Sequence, residues 1–326
     1  MSISLISINM IDLFAAVIVD WIFGDPHWFP HPVIYIGKLI SYLEKRGRKF
    51  CRKNGTLKAF GGLIVLVVGA VSFLVPFAVL MLLGKHMVLY HIVNVFIMWT
   101  TISAKCLAVE AKKVYYSLKE ENIEDARLKL SYIVGRDTSN LNSEEIIRAD
   151  VETVAENTSD GVIAPLIYAA VLGAPFAMLY KGINTMDSML GYMNEKYRYI
   201  GFFPAKIDDL FNFIPARITG LLMCISSFMI NGSPMKALKI MIRDRKNHKS
   251  PNCAYPEAAA AGALGVQLGG TNVYFGEIVY KPTIGDKLTT LNFEHIKHCI
   301  DLMYFTEIFM VILIGIILIV LNLSYI

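Results

Sequence analysis

The residues with the greatest capacity for chemistry lie in one stretch, 148–191, with polar motifs at both ends and apolar residues between them. At its front Glu152, Glu156, Asn157 and Asp160 place four oxygen-bearing side chains within nine residues. Glu152 and Glu156 are four apart, so a helix stacks both carboxylates on one face. At its far end stand Lys181, Asn184 and Asp187. Any one of these acids is explained by a polar cap on a buried helix pair. Five carboxylates and two asparagines around one hydrophobic element are harder to explain that way. Hard oxygen donors at this density suit Mg²⁺ with its phosphates, or acid–base work on an amine.

The elements that must hold these groups are helical. Ser143-Glu144-Glu145-Ile146 begins the helix that carries Glu152 and Glu156. Thr158-Ser159-Asp160-Gly161 reads as the end of that helix and the cap of the next, since Ser and Asp supply N-cap acceptors and Gly permits an unusual backbone. Two apolar runs follow, 162–172 and 176–180, separated by Gly173-Ala174-Pro175. Each run is too short to cross a bilayer alone, so the pair either spans together or forms a re-entrant hairpin. Upstream, 104–118 and 123–134 read as amphipathic helices. They lead to Arg136, a phosphate contact or a capping partner of Asp137.

Three further polar blocks interrupt the apolar chain. Residues 20–33 hold three prolines that forbid a continuous helix, with Trp21 and Trp28 as interfacial anchors and Asp25 and His31 as site candidates. In residues 205–217, Asp208, Asp209 and Asn212 fall within one turn, and Arg217 lies in an apolar setting where it should pair with a carboxylate or an anionic ligand. Residues 242–285 contain Arg243, His248, Glu257 and a run of alanines and glycines from 258 to 270. Such small residues admit either a close helix contact or a flat ligand.

Of 326 residues 55% are hydrophobic, and the mean hydropathy is +0.50, too apolar for an ordinary soluble protein. The expected fold is all-α: a polytopic integral membrane protein with about four to six membrane segments, some re-entrant, and helical cytoplasmic loops. Residues 1–326 read as one integral membrane domain with polar functional blocks at 20–37, 136–191, 205–217 and 243–285. The clearest spans are 61–84 and 303–323; 3–23 and 88–109 are further candidates, and 207–230 is a weaker one. The first segment lacks the basic region and cleavage site of a signal peptide and is expected to remain as an anchor. Five scattered cysteines without CxxC spacing read as free thiols, not as a disulfide frame or zinc site. Seven cations between 45 and 58 place that loop in the cytoplasm and favour anionic lipid. No aromatic interleaving accompanies them, so nucleic acid is not an expected partner. There is no phosphate-binding GxxxxGK[ST] and no internal repeat.

Eight motifs in order resemble one family. They are GDPxxxxHPV at 24–33, RDTSxL at 136–141, VExxAENTSDGVIAPL at 151–166, YKxxNTxDSMxGY at 180–192, DDxxNxxPAR at 208–217, RD at 243–244, HxSPN at 248–252 and EAAxAGALGxxLGG at 257–270. Together they resemble the CobD/CbiB family of cobalamin biosynthesis, the membrane-bound adenosylcobinamide-phosphate synthases. The resemblance implies an ATP-dependent amide ligase joining adenosylcobyric acid to (R)-1-amino-2-propanol or its O-phosphate. It implies ATP and Mg²⁺ as cofactors, the corrinoid as substrate, other cobalamin-assembly enzymes as partners, and a cell-membrane location with the site facing the cytoplasm. Within that scheme Glu152, Glu156, Asp160 and Asp187 are the first candidates for Mg²⁺ and the general base, with Asn157 and Asn184 orienting ligands. Arg136, Lys181, Arg217 and Arg243 are candidates for phosphate. Asp25, His31, Asp208, Asp209, Asn212 and Glu257 are further substrate- or nucleotide-binding candidates. A transporter of an anionic metabolite is the competing reading, motivated by broken helices and intramembrane Asp and Arg. A non-catalytic membrane partner leaves the clustered carboxylates without a use.

Overall fold

The computed structural model describes residues 3–26, 28–274 and 277–323; His27, inside the first motif, lies outside them. In chain order the helices are α1 (Ile3–Phe23), α2 (Pro32–Phe50), α3 (Asn54–Leu83), α4 (Met87–Trp99), α5 (Ala104–Lys119), α6 (Ile123–Leu130) and α7 (Ser143–Asn157). They continue with α8 (Ala164–Leu172), α9 (Ala174–Leu190), α10 (Phe202–Phe211), α11 (Phe213–Ser226), α12 (Pro234–Asp244), α13 (Ala254–Leu264) and α14 (Glu294–Leu323). One antiparallel hairpin, β1 (Leu268–Tyr274) with β2 (Glu277–Ile284), lies between α13 and α14.

Among the described residues, Asn54–Leu83, Met87–Lys119, Phe213–Ile230 and Glu294–Val320 are long and apolar enough to cross a membrane. This is a multi-pass membrane protein, all-α apart from the hairpin. Expected segment 88–109 runs on through α5, and the segment expected at 207–230 begins later, at Phe213, because α10 ends at Phe211. Within α14 Glu307 is fully buried and does not face lipid. All five cysteines are free.

The chain forms two compact units. The first comprises residues 1–103, 164–212 and 314–326. In it α9 packs on α3, α8, α10 and α2, while α1 packs on α4. The turn between α8 and α9 is made by Gly173, whose φ of 87° is a backbone conformation that favours glycine.

The second unit comprises residues 104–163 and 213–313. Here α13 packs against α11, α12 and α7, and α5 against α6 and α7. Ala258 to Ala261 are fully buried in that packing, so the small-residue run serves close helix contact. α7 starts at Ser143, as expected, behind a capping box in which Asn142 and Glu145 satisfy each other's backbone N–H groups. Its end departs from expectation. Thr158–Ile163 do not cap a new helix but continue as a π turn into α8. Thr153 and Thr158 turn their hydroxyls back to the carbonyls of Ala149 and Val154, at 2.8 and 2.7 Å, so they do not cap the next turn. Single π turns within α-helices occur often at functional sites.

Candidate active site

The second unit gathers most of the chemistry. α7 presents Glu152 and Glu156, the π turn Asp160, α11 Arg217, the loop before α13 His248 and Asn252, and α13 Glu257. Glu152 is committed to the scaffold. Its Oε2 accepts from Arg136 Nη2 at 2.5 Å, the two side chains being 4% and 7% exposed, and its Oε1 accepts from Gly269 N at 2.8 Å. Arg136 is thus engaged by a buried carboxylate, while Asp137 caps its own turn by accepting from Ser139 N and Oγ.

Glu156, one turn on, is partly exposed and accepts from Cys253 Sγ at 3.0 Å. Glu257, on the neighbouring helix, is only 3% exposed. Burial, joined by the charges of Glu152 and Glu156, pushes its carboxyl well above the ordinary range, against the pull of Lys281 and Arg136. Burial likewise pushes the Cys253 thiol up, helped by Glu156, Asp160 and Glu257. Three carboxylates therefore act on one thiol, Glu156 by direct contact. His248 Nδ1 accepts from Ser250 N at 3.0 Å, and its Nε2 lies 3.2 Å from Lys281 Nζ. Burial and the Lys281 charge lower the His248 pKa, with Glu156 and Glu152 opposing. Arg217 stacks on Phe213 and Tyr255, at 3.5 and 4.5 Å from the ring centroids, and donates to Asn252 Oδ1 at 3.2 Å. Among the described residues it has no carboxylate partner, contrary to one of the two expectations for it. Arg243 is held by Asp244 and Asp286, at 2.7 and 2.9 Å. Asn157 bonds back to Thr153 O at 3.0 Å.

The remaining candidates belong to the first unit. Tyr180 donates to Asn212 Oδ1 at 2.8 Å, and Asn212 donates to Asp208 Oδ2 at 3.0 Å. Asn184 reaches Asp208 Oδ1 at 3.5 Å, so α9 and α10 bring two motifs into one buried polar chain. Lys181 donates to Ser103 Oγ at 2.7 Å, and Asp209 pairs with Lys206 on the surface at 3.1 Å. Asp187 lies on the last turn of α9. His31 caps α2, its Nδ1 accepting from Val33 N at 3.2 Å, and its Nε2 stands 3.4 Å from Asp25 Oδ1, close but not aligned for a hydrogen bond.

The sequence motifs single out neither Cys253 nor Lys281 as a site residue, and HxSPN contains His248 and Asn252 without giving either a role. HxSPN was itself the signal for the last two. Lys281 lies on a strand with no motif around it.

Comparison with known proteins agrees with this arrangement of motifs. The family model described as CobD/Cbib protein matches residues 13–303. The chain belongs to the CobD/CbiB family. Among its CobD/CbiB relatives, a cobalamin biosynthesis protein CobD of Clostridium acetobutylicum is 64% identical over 304 residues, 93% of this chain and 96% of the relative. CobD of Clostridium tetani is 61% identical over 94% of this chain and 96% of its own length. CbiB of Salmonella typhi is 47% identical over 89% and 91% respectively. No solved structure matches the chain. Membership places this CobD/CbiB protein in cobalamin biosynthesis, as an enzyme.

The family implies Mg²⁺, and the donor set can be tested against it. Glu156, Asp160 and Glu257 supply the oxygen donors a hard cation prefers. Among the described residues, however, no three His, Cys, Asp or Glu side chains converge to hold a metal ion. A Mg²⁺ at this site would therefore need substrate phosphates to complete its coordination.

Proposed function

We propose that this protein is an ATP-dependent amide ligase that joins adenosylcobyric acid to (R)-1-amino-2-propanol O-phosphate, or to the free amine. The observation that carries this reading is the cluster of Glu152, Glu156, Lys281 and His248 around the buried Glu257, in a chain of the CobD/CbiB family. A carboxylate does not react with an amine until one oxygen becomes a leaving group, and ATP with Mg²⁺ supplies that chemistry. Asp160, together with substrate phosphate oxygens, would hold the cation.

The chain's own residues have two tasks. The first is to take a proton from the incoming ammonium. Glu257, held above its ordinary pKa, is the stronger base of the cluster and carries that role. Glu156, anchored by Cys253, lies in the same field and positions the amine. The second task is to neutralise phosphate. Arg217, free of carboxylates and stacked on two rings, keeps guanidinium edges for an anion, and Lys281 adds a second cation. Glu152 and Arg136 hold the hairpin against α7 and shape the cluster without reacting. ATP is cytoplasmic, so the site faces the cytoplasm, and the basic segment around α2 rests on anionic lipid at that face.

The test is ATP turnover by the detergent-purified chain. Release of ADP or AMP should require both adenosylcobyric acid and an amine. A transporter of an anionic metabolite would show no such turnover, and that result would displace the ligase reading.

A further inference from the structure

The loop between α1 and α2, in the first unit, carries a donor and an acceptor that the fold leaves unused. Asp25 Oδ1 and His31 Nε2 are both buried, stand 3.4 Å apart, and have no hydrogen-bond partner among the described residues. His31 Nδ1 accepts from Val33 N at 3.2 Å. A backbone N–H can only donate, so Nδ1 carries no proton and the ring proton sits on Nε2. The loop therefore sets an open acceptor, the Asp25 carboxylate, beside an open donor, the His31 Nε2–H. Buried polar atoms are nearly always satisfied, so an adjacent orphan pair calls for a ligand that supplies both complements.

The loop itself does not close the gap. Swinging the His31 ring toward Asp25 would give up the cap of α2. The ring also meets Phe29 edge to face at 6.4 Å, and Phe29 packs on Phe96 and Trp99 at 5.8 and 5.4 Å between centroids. On the other side Gly24 takes a φ of 57°, and its carbonyl accepts from Trp99 Nε1 at 3.2 Å. Pro26 restricts the backbone of Asp25 in turn. Main chain and ring are thus fixed, while the last torsion of the Asp25 side chain is soft and lets the carboxylate turn to a ligand. The His31 and Asp25 side chains keep 13% and 21% of their surface exposed, which gives a ligand edge its approach.

An acceptor beside a donor is complementary to a planar group that carries an N–H and a lone pair side by side. A primary carboxamide is one such group. The adenine edge is another, and Asn or Gln reads it with the same donor–acceptor pair. A carboxylate or phosphate fits badly, because Asp25 repels it. We propose that Asp25 and His31 form a recognition site for such an amide-type edge, the Asp25 carboxylate accepting from its N–H and His31 Nε2–H donating to its lone pair. The inference rests on the ligase reading for the source of the edge, either the carboxamides around the corrin ring of the substrate or the adenine of ATP.

The experiment is equilibrium dialysis of the detergent-purified full chain against dicyanocobyric acid and, separately, against ATP with Mg²⁺. Dicyanocobyric acid keeps the ring carboxamides and carries no adenine, so the two arms distinguish the sources. His31→Asn removes the ring N–H and keeps an N-cap acceptor, and Asp25→Ala removes the carboxylate. Each variant should weaken one ligand, the same one in both, by about tenfold or more and leave the other within about twofold. A loss confined to dicyanocobyric acid assigns the carboxamide, and the wild type should then discriminate against cobyrinic acid, in which the amides are acids. A loss confined to ATP assigns adenine, and the wild type should then discriminate against ITP, which presents an acceptor where adenine has a donor. Unchanged affinity for both ligands, a different ligand lost in each variant, or equal loss of both with a lowered thermal midpoint would overturn the site, as would a wild type that binds neither. If Asp25→Ala does not fold, His31→Asn decides alone. Selective loss of binding in a protein that forms no amide would overturn the ligase reading and leave the site standing.

Discussion

Replacing Arg136 by Met leaves Glu152 buried, charged and deprived of its guanidinium. The pair is 2.5 Å apart and 7% and 4% exposed, so solvent cannot take over from the lost partner. Breaking a buried pair from one side costs about 3–5 kcal/mol. At about 2–4 °C of midpoint per kcal/mol for a protein of this size class, Arg136→Met should lower the thermal midpoint by about 6–20 °C. The second variant, Arg136→Met with Glu152→Gln, removes both charges and keeps an oxygen to accept from Gly269 N–H. It should lie within about 1 kcal/mol of wild type, since a buried pair replaced as a whole is close to neutral. The two single variants and the double variant, unfolded in detergent and followed by intrinsic fluorescence, give the coupling energy directly. A midpoint loss under about 2 °C for Arg136→Met, or a double variant as damaged as the singles added together, would refute the scaffold role.

Three further outcomes follow from individual side chains. Asp150 is fully buried, neither oxygen has a hydrogen-bond partner, and burial pushes its carboxyl well above the ordinary 3.8. The folded state keeps a proton that the unfolded state gives up, so stability falls as pH rises from about 4 towards the folded pKa; Asp150→Asn should remove this slope and raise the midpoint at pH 8. Glu257→Gln should lower kcat for amide formation by about 100-fold or more, with the KM for ATP little changed, as expected on removing a general base. Gly262→Ala would set a Cβ 2.7 Å from the Cα of Ala237, backbone that cannot step aside, and should cost about 1–3 kcal/mol in thermal unfolding.

Much of this architecture is legible in the sequence because it is written in local patterns. Ser143-Glu144-Glu145-Ile146 announces the start of α7, the i,i+4 spacing places Glu152 and Glu156 on one face, and the apolar runs 61–84 and 303–323 mark α3 and α14. What was not legible depends on contacts distant in sequence. Glu152 looks like a catalytic acid until Gly269, 117 residues away, is seen donating to it. Arg243 looks like a phosphate ligand until Asp286 closes on it. Asp160 looks like an N-cap, but the hydroxyls around it bond backwards and the helix runs on through a π turn. The hairpin was hidden for a different reason. Its alternating β-branched and aromatic residues, Thr271, Val273, Ile278 and Tyr280 among them, sit within a block whose charges and prolines obscure the alternation, and Lys281 lies on β2 with no motif to mark it.

The most direct test of the central claim is the mass of the corrinoid after the purified chain is incubated with adenosylcobyric acid, ATP, Mg²⁺ and one amine at a time. A gain equal to the amine less one water, dependent on ATP and strongly reduced in Glu257→Gln, is the result this account predicts. An unchanged corrinoid with both amines, from a preparation that unfolds cooperatively, would contradict it.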